Sequence, residues 1–266
     1  GRGTLARDAL RAMKRFGIEP QVHLVETSPM LKALQLQAVP EAVFHDDLSS
    51  VPMEGPILLA ANEFLDALPL RQLIRTADGW REVMVATEGE RFVCVPGARP
   101  MDAAVPEARR DAPEGTLIET SPAAAAVLYE VAGRLAKQGG AALFIDYGHA
   151  EERTGSTFQA IRAHKKVDPF EAPGEADLTA HVDFATLAQV AQSRGCRWLG
   201  TVDQGQWLRD LGIEGRAEAL GASAPQHREA IHRAMDRLIA PEQMGELFKV
   251  MGLAAPGWPD GAGFPA

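Results

Sequence analysis

Gly1-Arg2-Gly3-Thr4-Leu5-Ala6 and, one helix later, Val22-His23-Leu24-Val25-Glu26 form the stretch on which the fold turns. Between them Leu5, Leu10, Met13 and Phe16 recur at helical spacing, interleaved with Arg7, Arg11, Lys14 and Arg15. That predicts one amphipathic helix, stopped by Gly17 and Pro20. Val22–Val25 is a short strand closing on the acidic Glu26. Ser28 suits the N-cap of a second helix, with Pro29 at its first position. Val43-Phe44-His45 is a strand ending in Asp46-Asp47, and Ile57–Ala61 is a fully buried strand ending in Asn62-Glu63. Alternating helix and strand with short links predicts an α/β fold with a parallel, doubly wound sheet.

In such sheets ligands bind beyond the carboxyl ends of the strands. Gly1, Gly3, Thr4, Glu26, Asp46, Asp47, Asn62 and Glu63 gather at those ends. Glycines let backbone approach a ligand, and a helix N-terminus favours a negative group. A carboxylate 23 residues after Gly3 can accept both hydroxyls of a ribose. Residues 1–6 also satisfy the dinucleotide pattern G-x-G-x-x-A, so a nicotinamide enzyme competes with other nucleoside ligands here.

Composition narrows the classes further. The 266 residues carry 27 Lys+Arg against 36 Asp+Glu, a net charge of −9. Acidity argues against broad nucleic-acid binding. The apolar runs, Ile57–Ala61 and Ala141–Ile145, fall far short of the ~20 residues that span a bilayer, and no basic-then-apolar leader is visible. Cys94 and Cys196 have no CxxC spacing and read as buried reduced thiols. The seven histidines show no HExxH and no cluster with ligand spacing, so no metal is expected. His23, within a strand, reads as a structural histidine.

The stretch Ala61-Asn62-Glu63-Phe64-Leu65-Asp66-Ala67-Leu68-Pro69 resembles a hallmark of the MidA-like S-adenosylmethionine-dependent methyltransferases, a family that includes a mitochondrial complex I assembly factor. Further matches run in order along the chain: Val25–Pro29, His45-Asp46, Phe144–His149, Pro173–Phe184 and Met244–Met251. They cover roughly positions 1–252 and are more specific than the glycine motif. The family pattern at the first loop is similar to Glu-Leu-Gly-Pro-Gly-Arg-Gly-Thr-Leu, of which Gly1 to Leu5 match the last five residues. Measured against it, the chain would begin inside the cofactor loop, without the first strand. The resemblance implies a Rossmann-like class I methyltransferase sheet over residues 1–253, with insertions at about 70–97 and 150–180. Residues 254–266 read as a loose tail.

Within that frame, Arg71–Ile74, Glu82–Ala86 and Arg91–Val95 alternate as a three-strand meander, and 96–116 reads as a surface loop. Ser121-Pro122 starts an alanine-rich helix running to about Lys137, and Ala141–Tyr147 is the next buried strand. Residues 150–180 read as irregular. Asp183–Gln192 is helical and Trp198–Val202 a strand; helices follow near 207–211 and 227–238, then a strand at Glu246–Leu253. The basic cluster Arg162, His164, Lys165, Lys166 reads as a solvated face.

The resemblance implies S-adenosyl-L-methionine as cofactor and an arginine of a protein, such as a complex I subunit, as acceptor. A guanidinium with a pKa above ~12 needs carboxylates to orient it and accept its proton. Glu63 is the first candidate and Asp66 the second, with Asp66 also able to cap a short helix. Gly1, Gly3, Thr4, Glu26, Asp46, Asp47 and Asn62 are the cofactor-binding candidates. Asp146, Tyr147, His149 and the group Asp177, His181 and Asp183 are candidates for the opposite wall. Two other readings stay open: a nicotinamide oxidoreductase with His149 or Tyr147 as proton donor, and a non-catalytic assembly factor. A homodimer is compatible with the sequence. The expected compartment is the bacterial cytoplasm, or the mitochondrial matrix in a eukaryote.

Overall fold

Gly3 turns the chain into helix α1 (Thr4–Lys14) from a left-handed conformation, φ 80°. A Cβ there would lie 3.1 Å from Ala38 Cβ and 3.2 Å from the Gln35 Cα, so the loop closes only around glycine. Strand β1 (His23–Val25) follows, then α2 (Pro29–Ala38), capped by Ser28 Oγ accepting from the Leu31 N–H at 3.4 Å, then β2 (Val43–His45). The two strands pair in parallel, His23 opposite Val43 and Val25 opposite His45. This computed structural model describes residues 1–163 and 165–265. It divides into two compact units, one from Gly1 to Glu54 and the other from Gly55 onward. In the first unit only Val39 and Val51 are buried hydrophobic residues, and α1 buries none of its side chains.

The second unit has two sheets of consequence. Strand β3 (Ile57–Asn62) leads into β4 (Arg71–Thr76), β5 (Gly79–Glu88), β6 (Arg91–Pro100) and β7 (Leu117–Thr120). The last four form an antiparallel sheet in the order β6-β5-β4-β7 around Leu73, Trp80, Met101, Val105 and Ile118. The expected three-strand meander is β4-β5-β6. A fourth strand, β7, adds to the other edge of β4. It was not legible because Leu117–Thr120 is short and follows a long loop; register with β4, Leu73 opposite Ile118, makes it a strand.

Helix α3 (Pro122–Gln138), capped by Ser121, leads to the central strand β8 (Gly140–His149). β9 (Gln159–Arg162), β10 (Lys165–Val167) and β11 (Asp177–Thr179) make a small antiparallel sheet where irregular chain was expected. Of the basic cluster, His164 lies outside the described residues; Arg162, Lys165 and Lys166 are exposed. β12 (Val182–Asp183), α4 (Phe184–Ser193), β13 (Arg197–Asp203), α5 (Gln204–Asp210), α6 (Ile213–Ser223), α7 (Arg228–Ile239) and β14 (Phe248–Ala254) complete the unit. Helix α6 is an element the sequence reading passed over.

The central sheet is mixed, not parallel throughout as the alternation predicted, and β1 and β2 form a two-stranded sheet of their own. β8 pairs in parallel with β3 and, beyond its end, with β12; β14 runs antiparallel between β8 and β13. A cross-over at Gly140 brings β8 so close to β3 that a Cβ would strike the Ile57 carbonyl. Leu128, Val131, Ala132 and Leu135 of α3, with Phe184, Leu187 and Ala191 of α4 and Phe144, Met251 and Leu253 of the sheet, are fully or nearly fully buried.

Three expectations need correction here. β3 is half-buried in alternation and Leu58 is 61% exposed, so it is not a fully buried strand. Cys94 is exposed on β6; only Cys196 is buried, its thiol donating to the Ala254 carbonyl at 3.1 Å. The final residues are seated, not loose: Phe264 lies over Gly252 and against Trp207, Trp207 Nε1 donates to the Ala262 carbonyl, and Arg197 pairs with Asp260. Two aromatic rings give this Pro- and Gly-rich segment enough apolar surface to hold it down.

Candidate active site and cofactor-binding residues

At the carboxyl end of β3 the chain turns sharply. Glu63 takes a left-handed conformation, φ 48°, while its N–H still donates to the Ile145 carbonyl of β8 at 2.9 Å. For a residue with a Cβ this conformation costs about 1–2 kcal/mol. Strain of this kind persists where surrounding bonds over-determine it. The bonds are visible: Asp146 Oδ2 accepts from three successive backbone N–H groups, Phe64 at 3.1 Å, Leu65 at 3.0 Å and Asp66 at 3.3 Å. Its Oδ1 accepts from the Tyr147 N–H at 3.0 Å.

Asp66 does not cap a helix; residues 65–68 form a turn. Its Oδ2 instead accepts from the Tyr147 hydroxyl and from Thr179 Oγ1, which also contact each other. Asp66 Oδ1 is buried with no protein partner among the described residues. Glu63 stays exposed, with Asn62 Nδ2 donating to Glu63 Oε1 at 3.2 Å. The turn therefore presents two carboxylates of different character. One is solvated; the other is half-buried and oriented by two hydroxyls.

Asp146 is 1% exposed. Burial, then the negative charge of Asp66, push its carboxyl up to about 7, against the pull of the backbone N–H groups. Burial and the bond to Asp66 raise the Tyr147 phenol, so it remains a donor. The Tyr147 ring meets His181 and Phe248 edge-on, with centroids 5.9 and 5.5 Å away. Burial and then the Arg153 charge lower His181, which leaves it neutral near pH 7. Its backbone N–H donates to Thr157 Oγ1 at 2.9 Å; Thr157 and Phe158 are in turn held by Glu119.

Of the remaining wall candidates, Asp183 caps α4 by accepting from the Thr186 N–H at 3.0 Å, and His149 Nδ1 donates to the Glu151 carbonyl at 2.6 Å. Asp177 is exposed on β11. Thr179, two residues further along the same strand, was missed: a threonine in a strand carries no signal until the strand is placed.

The first unit holds the other candidates. Glu26 Oε1 accepts from the Ser28 N–H at 2.9 Å and Oε2 from Gln35 Nε2 at 3.0 Å. Burial opposes ionisation, but these bonds outweigh it and hold the carboxyl below its ordinary value. Gln35 Nε2 also donates to the Gly1 carbonyl at 2.8 Å, tying Gly1 and Glu26 into one network. Thr4 opens α1 immediately after Gly3. Asp46 is 82% exposed and paired with Lys32 Nζ at 2.5 Å. Asp47 Oδ1 caps the turn 48–50, accepting from the Ser49 N–H at 2.8 Å. His23 Nδ1 lies 2.9 Å from His45 Nε2, so this histidine is a hydrogen-bonded structural one. Among the described residues no group of three or more His, Cys, Asp or Glu is placed to hold a metal ion.

A mixed sheet with one antiparallel strand between two parallel ones, and carboxylates at the strand ends, places the chain in the α/β class of S-adenosylmethionine-dependent methyltransferases. The chain belongs to the family described as “Putative S-adenosyl-L-methionine-dependent methyltransferase”, which matches residues 1–202. It is 34% identical to the mitochondrial protein arginine methyltransferase NDUFAF7 of Rattus norvegicus, over 95% of this chain and 65% of that protein. The Drosophila melanogaster homolog, also named mitochondrial, gives the same values. The chain thus spans just under two thirds of the curated relatives it matches. Two Burkholderia thailandensis crystal structures are similar throughout. One, of uncharacterized function, has a TM-score of 0.86 at 31% identity, covering 99% of this chain and 74% of its own. The other, a “likely methyl transferase” bound to S-adenosyl-homocysteine, has a TM-score of 0.83 at 32% identity, covering 98% and 70%.

The family displaces the nicotinamide reading of residues 1–6. The expected cytoplasmic location gains no support either, since the eukaryotic relatives are named mitochondrial. Among the described residues no helix is long and apolar enough to cross a membrane.

Proposed function

We propose that the chain transfers a methyl group from S-adenosyl-L-methionine to a protein arginine. The observation that carries this reading is the pair of carboxylates, Glu63 and Asp66, on one braced turn at the end of β3. The names of the relatives and the ligand of the Burkholderia structure support it.

The residues fit the cofactor. Glu26 is ionised and each oxygen keeps a lone pair beyond its present bond, as a ribose diol requires. Gly1, Gly3 and Thr4 would admit the methionine end at the start of α1, and Asp46 and Asp47 would lie near the adenine; Asn62, at the end of β3, remains a further cofactor-binding candidate. When bound, S-adenosyl-L-methionine supplies an already activated methyl group. The protein must then align the acceptor and exclude water. Glu63 and Asp66 would pair with the guanidinium, fix one nitrogen in line and take up the proton it releases. Asp66, steered by Tyr147 and Thr179, would do the aligning.

We further assign residues 1–253 to one methyltransferase domain, with a complex I subunit as a candidate acceptor and a homodimer as its candidate assembly. The compartment would be the mitochondrial matrix or the bacterial cytoplasm according to source. The test is incubation with methyl-labelled cofactor and complex I subunits. Label in arginine, lost in Glu63→Gln and Asp66→Asn, is expected. Binding of S-adenosylhomocysteine without transfer would favour the non-catalytic assembly factor; calorimetric binding of NADH in its place would overturn the reading.

A further inference from the structure

We propose that Asp146 is the positioning residue of this site: its carboxylate gathers the backbone N–H groups of Phe64, Leu65 and Asp66 into the turn that presents Glu63 and Asp66, while Tyr147, the next residue, sets the direction of the Asp66 carboxylate. The inference rests on the methyl-transfer reading for its consequence, not for its geometry.

Four observations converge on it. All three N–H groups reach one oxygen, Asp146 Oδ2, within 3.3 Å. Asp146 and Tyr147 are neighbours on β8, so their side chains leave opposite faces of the strand. Tyr147 nevertheless reaches Asp66 with its hydroxyl, while Asp146 grips the same residue by its backbone. Asp66 is thus held at both its main chain and its side chain by consecutive residues. Finally, the strained residue, Glu63, immediately precedes the gripped segment, where a released turn would relax first.

The arrangement has a cost. A carboxyl buried to this degree is disfavoured in its charged form. The ionisable groups set against it are Asp66 from the turn, Tyr147 from its own strand and Lys249, its register partner on β14, whose Nζ is held by Asp203 at 2.5 Å. No free cation among the described residues offsets the Asp146 charge; the N–H groups do. Only the ionised form offers every lone pair to four N–H donors. The N–H bonds favour the charged form, while burial favours the neutral one. Acidification through about 7 should therefore loosen this turn locally, with Asp146 still buried, even as the neutral carboxyl favours the fold as a whole.

The experiment follows the amide resonances of Phe64, Leu65 and Asp66 against pH in the selectively ¹⁵N-labelled full chain, with their hydrogen exchange. The expected result is one shared inflection near neutrality and faster exchange on its acid side, both absent in Asp146→Asn. Independent behaviour of the three amides, or the same inflection in Asp146→Asn, overturns the proposal. Tyr147→Phe is the second variant, because it keeps the ring contacts to His181 and Phe248. It should lower kcat roughly 10- to 100-fold with little change in the cofactor KM, and leave the shared inflection in place. Unchanged kcat in that variant removes Tyr147 from the proposal. If no methyl transfer is detected in the parent chain, the proposed function fails while the resonances still decide the role of Asp146.

Discussion

The unit from Gly1 to Glu54 and the unit beginning at Gly55 build their candidate residues by different means. In the first, two buried hydrophobic residues support the whole unit, and the functional groups are held by short hydrogen-bond networks near the surface: Gly1 and Glu26 through Gln35, Asp47 through Ser49. In the second, Asp146 stands on β8 against a dense core of α3, α4, β8 and β14 and grips by its backbone the turn that carries Asp66. The difference teaches what each chemistry needs. A ribose or a methionine carboxylate is gripped by donors and acceptors on a few residues, and local loops suffice. Aligning a guanidinium needs carboxylates fixed to a fraction of an ångström, which only rigid elements supply.

The strongest challenge to this contrast is to remove one carboxylate from each unit. Asp66→Asn should lower kcat by roughly 10²- to 10³-fold with cofactor affinity kept. Glu26→Ala should weaken cofactor binding by roughly 10- to 100-fold, as expected for lost hydrogen bonds to a charged group. Calorimetry and steady-state kinetics on the same samples separate the two; coincident loss of both properties in either variant would erase the distinction.

Asp146 gives the next largest effect. Its folded-state carboxyl is raised to about 7 from an ordinary 3.8, so the folded protein binds the extra proton between those values. Stability should then fall as pH rises through that window, by at most about 1.4 kcal/mol per pH unit, and level off above it. Urea melts of wild type and Asp146→Asn from pH 4 to 8 check this: the difference between their slopes should vanish above about 7. Glu26, shifted downward by its hydrogen bonds, acts with the opposite sign, its contribution fading as acid protonates it.

Hydrogen exchange sharpens the contrast directly. Amides of α1 and β1 should exchange faster than those of β8 and β14 under the same conditions, because local opening follows buried contacts. The smallest effect on stability is expected at Glu63. Glycine adopts a φ of 48° freely, so Glu63→Gly should keep stability or raise it by about 1 kcal/mol while methyl transfer is lost. A thermal melt beside the activity assay reads both; a marked loss of stability would show that the Glu63 side chain, not the turn, holds this corner.

Much of this was legible in order and spacing. The caps Ser28-Pro29 and Ser121 operate within a few residues, and the glycine loop and the acid after β1 are marked by residue type and spacing, so local sequence announces all four. The run Asn62–Pro69 marked the turn that presents Glu63 and Asp66 as one segment. Its internal division of labour was not legible: Asp66 stayed open between substrate contact and cap, whereas the residue that organises the turn is Asp146, 80 residues away. Thr179 reaches Asp66 across 113 residues and Glu119 reaches Thr157 across 38.

Sequence alone determined the α/β alternation, the placement of polar residues at strand ends and the family resemblance, because these depend on periodicity, capping and motifs read within one element at a time. Tertiary structure decided which carboxylate is exposed, which is oriented and which is buried. Burial and long-range hydrogen bonding set the character of an acid, and neither exists until β3, β8 and β11 have been brought together.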